Sequence, residues 1–226
     1  MTTHYRDLRA AKAANVAILG QMSRHGAYGR VFKRLLDICF VIIVAPIAAP
    51  LILLAAILVA ADGHSPFFLQ QRVGKAGRVF GMVKLRTMVP GADAVLDDYL
   101  GRNPEALAEW NHSQKLRKDP RITKVGRFLR KSSLDELPQL WNVLTGTMSV
   151  VGPRPITEAQ RALYPGRAYY SLQPGITGLW QVSKRNDCSF KDRSLIDDQY
   201  AGSLSFREDL SILVLTVGVV VRCTGL

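Results

Sequence analysis

The stretch that decides the fold is FVIIVAPIAAPLILLAAILVAA, residues 40–61, which is 22 residues long and contains no charged side chain. A straight helix of this length crosses the roughly 30 Å hydrocarbon core of a bilayer. The segment is too long, and too far from the N-terminus, for the apolar part of a cleaved secretory signal. A buried helix of a soluble domain is the alternative, but such helices rarely run uncharged for this length. The sequence therefore predicts a membrane segment.

Two prolines inside the segment, Pro46 and Pro50, predict that the helix is broken. Each lacks a backbone donor and clashes with the preceding turn, which costs about 3 kcal/mol in a helix interior. Both flanks of the segment are basic, and basic flanks mark the cytoplasmic side. These flanking residues are Arg30, Lys33 and Arg34 before it and Arg72, Lys75, Arg78, Lys84 and Arg86 after it. We therefore predict a re-entrant helix-break-helix over residues 30–62, with a single straight span as the alternative.

The charge of the chain limits its partners. The formal net charge is +12, from 30 basic and 18 acidic side chains among 226 residues. Such an excess favours nucleic acid, anionic lipid or phosphorylated small molecules. The three cysteines and four histidines lie far apart in the sequence, so neither a disulfide framework, a histidine metal site nor a Ser/His/Asp triad is indicated.

The rest of the chain predicts an α domain with minor β over residues 63–226, preceded by a basic, Ala-rich extension over residues 1–29. Two short strands are expected at 66–72 and 79–85, and a third strand-like segment at 179–182. Helices are expected at 92–111, 124–130, 156–164 and 189–200. The apolar run 210–221 is too short to span a bilayer and predicts a core or interfacial helix.

An adjacent acid pair, Asp135-Glu136, is the leading candidate for chemistry. Ser132 or Ser133 is expected to cap a helix that carries both acids in its first turn and ends at Gly146. Adjacent residues on a helix point about 100° apart, so one acid can attack or bind a metal while the other orients it or accepts a proton. The alternative is that both acids only complement the helix dipole.

Basic residues surround the acid pair and favour the chemical interpretation. Arg130, Arg154, Lys84 and Arg86 provide donors suited to phosphate groups. Prolines on both sides of Arg154 fix the backbone, so its guanidinium is presented with little loss of entropy. A stiff loop of this kind can equally brace two helices. The glycine-containing segment PGITG, residues 174–178, can approach a phosphate or a base closely, or form a plain turn.

A series of short motifs occurs in order over residues 30–222. They are KRLLD at 33–37, QRVG at 71–74, KLRTM at 84–88, SLDELPQLWNV at 133–143, MSVVGPRP at 148–155, PGITG at 174–178 and QV at 181–182. Together with the apolar segment they resemble the monotopic polyprenol-phosphate phosphoglycosyl transferases, the bacterial sugar transferase family. The likeness is to its small, exopolysaccharide-initiating members.

The resemblance implies a mechanism. The family transfers a sugar-1-phosphate, here galactose or glucose phosphate, from a UDP-sugar to undecaprenyl phosphate and releases UMP. By this likeness Asp135 attacks the β-phosphate, forms a phosphosugar-enzyme intermediate and lies at the required Mg²⁺. Glu136 orients the nucleophile or helps to deprotonate the lipid phosphate. Arg130 and Arg154 match family arginines near the phosphates, and Lys84 and Arg86 are further candidates.

The resemblance also implies a location. It places the enzyme at the cytoplasmic face of the bacterial inner membrane, in contact with membrane lipid through the re-entrant helix and interfacial amphipathic helices. Pro50 matches the proline at which the family's membrane helix turns, and Pro46 is additional. Family members can dimerise, so a homodimer is a possible assembly.

Two other functions are weighed against this one. A membrane-anchored protein that binds anionic lipid without catalysis explains the net charge and the apolar segment, but not the acid pair between arginines. Nucleic-acid binding is disfavoured, because the basic residues lack an aromatic-stacking pattern and a membrane segment has no place in such a module.

Overall fold

The computed structural model describes residues 28–113, 116–161, 164, 168–183 and 190–221. Within these ranges the regular structure is mostly helical, with two two-stranded sheets. The predicted class, α with minor β, is therefore confirmed. The N-terminal extension lies outside the described residues up to position 27, and the division into an extension, a membrane helix and a catalytic domain stays a prediction.

A π-helical turn, Tyr28–Phe32, leads into helix α1, Lys33–Ala60. The elements that follow are β1 (Phe67–Val73), β2 (Val79–Leu85), α2 (Ala92–Arg102), α3 (Pro104–Ser113), α4 (Lys124–Ser132), a 3-10 turn (Leu134–Glu136), α5 (Gln139–Thr145), β3 (Ser149–Val151), α6 (Glu158–Arg161), a second 3-10 turn (Ala168–Ser171), β4 (Gly175–Thr177), α7 (Leu179–Ser183), α8 (Phe190–Gly202) and α9 (Phe206–Val221).

Helix α1 turns one face to the rest of the protein along its whole length. Its 28 residues extend about 42 Å at about 1.5 Å per residue. The buried side chains recur at helical spacing and so form one stripe: Lys33, Asp37, Val41, Ala48, Ala55, Ala56 and Val59. The opposite face is apolar and exposed, as at Ile43, Ile47 and Leu54. Within the described residues, the helical stretch Tyr28–Ala60 alone is long and apolar enough to cross a membrane.

The predicted break at Pro46 and Pro50 is not seen, because α1 is continuous from Lys33 to Ala60. Both prolines lie on the exposed face of the helix. Their missing donors and their rings therefore disturb the side turned away from the core, while the buried stripe keeps its packing. Tertiary packing commonly outweighs local propensity in this way. The re-entrant topology itself stays a prediction.

A buried polar network holds the N-terminal end of α1. Lys33 donates to Asp209 of α9 across 2.6 Å, and the Asp209 side chain is fully buried. The hydroxyls of Tyr28 and Tyr200 also donate to Asp209, each at 2.6 Å. The Asp209 carboxylate therefore receives three donors, which is the condition under which a buried charge is tolerated.

Both ends of α1 are attached to the same domain. Near its beginning, Asp37 accepts a hydrogen bond from the amide of Val150 in β3 at 2.9 Å. At its end, Arg86 donates to the carbonyl of Val59 at 3.1 Å and pairs with Asp62 at 2.7 Å. A helix attached at both ends, and packed between them, lies along the domain instead of projecting from it.

The two sheets carry the residues of the candidate site. Strands β1 and β2 form an antiparallel hairpin in which Phe67 pairs with Leu85 and Val73 with Val79. Strands β3 and β4 are parallel, with Ser149 beside Gly175. The main core lies between α1, α5, β3, α8 and α9, and its most deeply buried members include Val143, Met148, Val151, Tyr200 and Ile212.

Several predictions of local structure are corrected. Residues 179–182 belong to helix α7 and not to a strand, since the amides of Gln181 and Val182 bond back to the carbonyl of Gly178. A short apolar run does not distinguish the two periods. The helix expected at 92–111 is two helices, with Asn103 in an extended conformation between them. The helix expected at 156–164 is described only as the single turn α6.

The predicted serine cap is also wrong. Ser133 has a left-handed backbone with φ of 59° and ends α4, with no side-chain cap bond to the turn that follows. The real N-cap of this region is Thr123, whose hydroxyl accepts the Gly126 amide at 2.8 Å at the start of α4. Helix α5 begins only at Gln139 and ends, as expected, at Gly146.

Candidate active site

The acid pair lies on the 3-10 turn between α4 and α5. The left-handed backbone of Ser133 closes α4, and the chain then turns at once through Leu134, Asp135 and Glu136. Two consecutive short turns place both carboxylates in front of strand β2, with which the 3-10 turn packs. Only 7% of the Asp135 surface is exposed, so it is a buried acid, and the adjacent Glu136 lines a cleft.

The Glu136 carboxylate is surrounded by cations. Lys84 Nζ lies 2.7 Å from its Oε1 atom, and Arg154 Nη2 lies 3.6 Å from the same atom. Arg72 lines the same cleft, together with Gln139. Burial alone would raise the pKa of Glu136, but Lys84, Arg154 and Arg72 outweigh it and hold the pKa at about 2. Glu136 is therefore an anion at all physiological pH values.

Arg72 is a site residue that the sequence analysis did not single out. Its guanidinium donates to the Gln70 side chain at 2.7 Å and to the Pro155 carbonyl at 3.3 Å. Its buried Nε atom has no hydrogen-bond partner among the described residues. Burial, and then the neighbouring Arg154, lower the pKa of Arg72 to about 10. The signal available in the sequence was its place in the QRVG motif, beside other residues of the family pattern.

The cleft therefore holds three cations around one anion. Arg72, Lys84 and Arg154 carry three positive charges, and Glu136 compensates one of them. The guanidinium groups of Arg72 and Arg154 are held close enough for Arg154 to lower the pKa of Arg72, although like charges repel. An arrangement of this kind favours a multiply charged anion, and phosphate or diphosphate groups match the fork geometry of arginine.

Asp135 differs from Glu136 in its hydrogen bonds to side chains. Among the described residues no side chain donates a hydrogen bond to its carboxylate, whereas Glu136 is held by Lys84. Burial raises the pKa of Asp135, and the Glu136 charge raises it further, while Lys84 and Arg130 oppose this. A carboxylate that has no side-chain donor and a raised pKa is a better nucleophile and metal ligand than one already paired with cations.

Arg130 stands on the other side of the acid pair. Its Nε atom donates to the hydroxyl of Thr87 at 2.8 Å. Burial lowers the pKa of Arg130, and the charge of Asp135 partly restores it. The predicted proximity of Arg130 to the acid pair is therefore seen in the structure, although no direct ion pair joins them.

A close backbone approach positions the Arg154 loop. The Gly152 amide donates to Thr177 and the Gly175 amide to Pro153, each at 2.8 Å. A Cβ atom on Gly175 would lie 2.1 Å from the amide nitrogen of Gly152. Only glycine permits this contact, so the PGITG segment serves to hold the Arg154 loop at the cleft. Its direct contact with a phosphate or a base stays a prediction.

Arg86 does not point into the cleft. Its guanidinium forms two hydrogen bonds with Asp62, at 2.7 and 2.8 Å, and bonds with the carbonyls of Val59 and Ser65. The structure therefore assigns it to the end of α1, which corrects its predicted place among the phosphate ligands. The signal of the sequence was misleading, because positions 84 and 86 would share one face of an extended strand. In the structure β2 ends at Leu85, and only Lys84 pairs with the acid pair.

The donor set fits a magnesium ion in one restricted way. Mg²⁺ is usually held by one or two carboxylates together with substrate phosphates and water. No cluster of three or more His, Cys, Asp or Glu side chains suited to a metal occurs in the described part of the chain. The carboxylate of Asp135 would supply one oxygen ligand, and the remaining ligands would come from substrate and water.

Comparisons with known proteins bear on this site. The family model described as bacterial sugar transferase matches residues 28–223. The chain is 46% identical over 198 residues to the undecaprenyl-phosphate galactose phosphotransferase of Salmonella typhimurium, an alignment covering 87% of this chain and 42% of that protein. It is 44% identical over 200 residues to the exopolysaccharide production protein ExoY of Rhizobium meliloti, covering 87% and 88%.

A third relative is the UDP-galactose-lipid carrier transferase of Erwinia amylovora. It is 42% identical over 210 residues, which cover 92% of this chain and 44% of that protein. The chain thus spans less than half the length of the Salmonella and Erwinia relatives, and most of the Rhizobium one. The matched region includes the acid pair and all three cations of the cleft.

Proposed function

This chain belongs to the bacterial sugar transferase family, and we propose that it transfers a hexose-1-phosphate, with galactose or glucose as the sugar, from a UDP-sugar to undecaprenyl phosphate. The observation that carries the proposal is the cleft in which Arg72, Lys84 and Arg154 surround Glu136, next to the carboxylate of Asp135, to which no described side chain donates. Undecaprenyl phosphate, galactose and exopolysaccharide production appear in the names of the relatives. The product would start an exopolysaccharide or another glycoconjugate.

In the proposed first step, a carboxylate oxygen of Asp135 attacks the β-phosphorus of the UDP-sugar. A bond forms between that oxygen and phosphorus, the bond from the β-phosphorus to the bridging oxygen breaks, and UMP leaves with the bridging oxygen. In the second step an oxygen of undecaprenyl phosphate attacks the same phosphorus, and Asp135 is released as a carboxylate. A covalent intermediate divides one difficult displacement into two easier ones.

The neighbouring residues take different roles in this scheme. Lys84, Arg154 and Arg72 bind the diphosphate and offset the charge that develops on its oxygens. Arg130 lies beside Asp135, where it can bind a phosphate oxygen of the substrate. Glu136, with a pKa held at about 2, is a poor proton acceptor near neutral pH. Of its two expected roles, we therefore favour orientation of the cations and the nucleophile over deprotonation of the lipid phosphate.

In this proposal Mg²⁺ would be held by the carboxylate of Asp135 together with the substrate phosphates. When bound, Mg²⁺ neutralises phosphate charge and polarises the phosphorus centre. The contribution of the chain itself is to leave the carboxylate of Asp135 without a competing side-chain partner.

We also propose that the protein is monotopic, with α1 re-entrant or lying in one leaflet at the cytoplasmic face of the bacterial inner membrane. Three features support this: both ends of α1 attach to one domain, its buried stripe runs its full length, and its outer face is apolar. A helix crossing the bilayer at right angles would draw the polar groups packed along it into the hydrocarbon core.

The proposed chemistry is tested by Asp135→Asn, with Asp97→Asn on the exposed surface of α2 as the matched control. The purified variants are supplied with undecaprenyl phosphate and a panel of UDP-sugars, and UMP release is measured. We expect Asp135→Asn to lower the rate by at least about 10³-fold, because the nucleophile is lost, and the control to stay close to wild type. Sugar transfer retained by Asp135→Asn would refute the nucleophile assignment.

The same assay separates the enzyme from a membrane-anchored protein that only binds anionic lipid. The binding protein would associate with anionic vesicles and release no UMP with any donor.

The topology is tested by labelling tags at residue 10 and residue 225 in spheroplasts. Protection of both tags is expected, and labelling of only one tag would favour a straight span.

A further inference from the structure

Asn142 of α5 is almost fully buried, with 4% of its surface exposed, and its side chain bonds to three groups on two segments, strand β2 and the turn before β3. Its Oδ1 atom accepts the amide of Val83 at 2.9 Å, and its Nδ2 atom donates to the carbonyl of Gly81 at 2.8 Å. Nδ2 also donates to the hydroxyl of Thr147 at 3.1 Å, just before β3. The orientation of the amide is fixed, because an N–H only donates and a carbonyl only accepts.

These contacts place the amide where a third strand would otherwise pair. Strand β1 pairs with one edge of β2, in the register that sets Gln71 beside Gly81 and Leu69 beside Val83. The other edge presents the Gly81 carbonyl and the Val83 amide, which would be unsatisfied without Asn142. The Asn142 side chain thus satisfies the hydrogen bonding of both backbone groups at this edge. Its two bonds fix the position of β2 along α5.

The position of β2 determines where Lys84 lies. Lys84 follows Val83 directly, and its Nζ atom reaches Glu136 at 2.7 Å. Glu136 in turn lies six positions before Asn142 on the same continuous segment. The segment that contains the 3-10 turn and α5 therefore contacts strand β2 at two adjacent points. One is the side-chain amide of Asn142, and the other is the Lys84–Glu136 ion pair.

We propose that Asn142 is a positioning residue, which sets the register of β2 against the acid-bearing turn and so places Lys84 at the reacting phosphates. The inference rests on the proposed function, since it assigns Asn142 a role in that same site. Displacement of a catalytic group by about 1 Å is enough to lower a rate by about 10²-fold. The backbone of β2 has no other described side chain that bonds to both Gly81 and Val83.

A double-mutant cycle between Asn142 and Lys84 tests the proposal. We expect Asn142→Ala to lower kcat/KM by about 10- to 100-fold in the wild-type background, mainly through kcat. In the Lys84→Met background the same change should lower the residual kcat/KM by less than about 3-fold, because no lysine remains to be misplaced. Equal fold losses in the two backgrounds would overturn the proposal and leave Asn142 with a structural role alone.

A second readout does not depend on activity. Hydrogen exchange of the Val83 amide should accelerate by about 10- to 100-fold in Asn142→Ala, because the acceptor of a buried amide is removed. Thr216→Val is the matched control, since it removes a 2.7 Å bond between two hydroxyls in α9 and β4, away from β2. Unchanged exchange at Val83 would overturn the register assignment.

Asn142→Asp gives a variant that keeps the acceptor for Val83 and places a carboxylate oxygen against the Gly81 carbonyl. We expect its Val83 amide to stay protected and its kcat to fall, which separates loss of position from loss of the folded state. A wild-type protein that is inactive with every UDP-sugar would refute the proposed function, and the exchange measurement would still decide the register role of Asn142.

Discussion

Substitution of Glu136 by Gln removes the only anion among the described side chains that line the three-cation cleft. The ionised carboxylate is stabilised in the folded protein, because Lys84, Arg154 and Arg72 hold its pKa at about 2 against an ordinary value of 4.5. Each pH unit of this depression corresponds to about 1.4 kcal/mol of folding free energy. Glu136→Gln should therefore lower the stability at pH 7 by up to about 3 kcal/mol, with the isosteric amide retaining the packing.

The pH dependence follows from the sign of the pKa change. A carboxyl group with a lowered pKa in the folded state contributes its stability fully above the unfolded value and loses it as the pH falls towards the folded value. The difference between wild type and Glu136→Gln should thus be constant from pH 8 to about 5.5 and shrink between about pH 4.5 and 2.

The assay is thermal unfolding of both proteins in the same detergent, without substrate or divalent metal. For a chain of this size, a loss of about 3 kcal/mol lowers Tm by roughly 6–12 °C. Glu158→Gln, on the exposed surface of α6, is the matched control and should leave Tm unchanged within about 1 °C. A Glu136→Gln variant as stable as wild type at pH 7, or more stable, would refute the electrostatic account of the cleft.

Two further predictions concern the same region. Arg72→Met should raise KM for the UDP-sugar or lower kcat/KM by about 10- to 100-fold, since a charge-assisted contact contributes about 1.5–3 kcal/mol. Arg78→Met, on the exposed hairpin turn, is the control. Equal kinetics of the two variants would exclude Arg72 from substrate binding in the cleft. Gly175→Ala should lower Tm and abolish transfer, because its Cβ would lie 2.1 Å from a backbone nitrogen. The Cβ of the control Gly202→Ala would have nothing within 4 Å, so this variant should behave as wild type. A stable, active Gly175→Ala protein would contradict the close packing of the two loops.

The sequence predicted those features that depend on local pattern. The hairpin of β1 and β2 follows from two short strand-like segments around a glycine-containing turn, and the end of α5 follows from Gly146, whose φ is 81°. The long apolar helix follows from 22 residues without a charge. These signals act between neighbours in the chain, so one sequence is sufficient to read them.

The errors arose where distant packing decides the outcome. Pro46 and Pro50 predict a break, but the stripe from Lys33 to Val59 packs against the domain and the helix continues. The acid pair was expected in the first turn of a helix, but the left-handed Ser133 places it on a separate 3-10 turn. No local pattern reports such contacts.

The sequence identified most of the residues that meet at the site, but only part of their arrangement. Asp135, Glu136, Lys84 and Arg154 meet as expected from the motifs, and Arg130 lies beside them. Arg72 was missed because it is 64 positions before Glu136 and looks like an ordinary basic flank. Arg86 was included wrongly, because its pairing with Asp62 depends on how the end of α1 meets the hairpin.

The ion pair between Lys33 and Asp209 has a consequence for biosynthesis. The two residues are 176 positions apart, so a ribosome that adds about 5–20 residues per second makes Asp209 roughly 10–35 s after Lys33. During that interval Lys33 lacks its buried partner, and Asp37 on the same helix is an acidic neighbour of its basic first turn. Docking of the beginning of α1 through this contact therefore waits until α9 has been synthesised, and until then lipid headgroups can interact with its basic first turn.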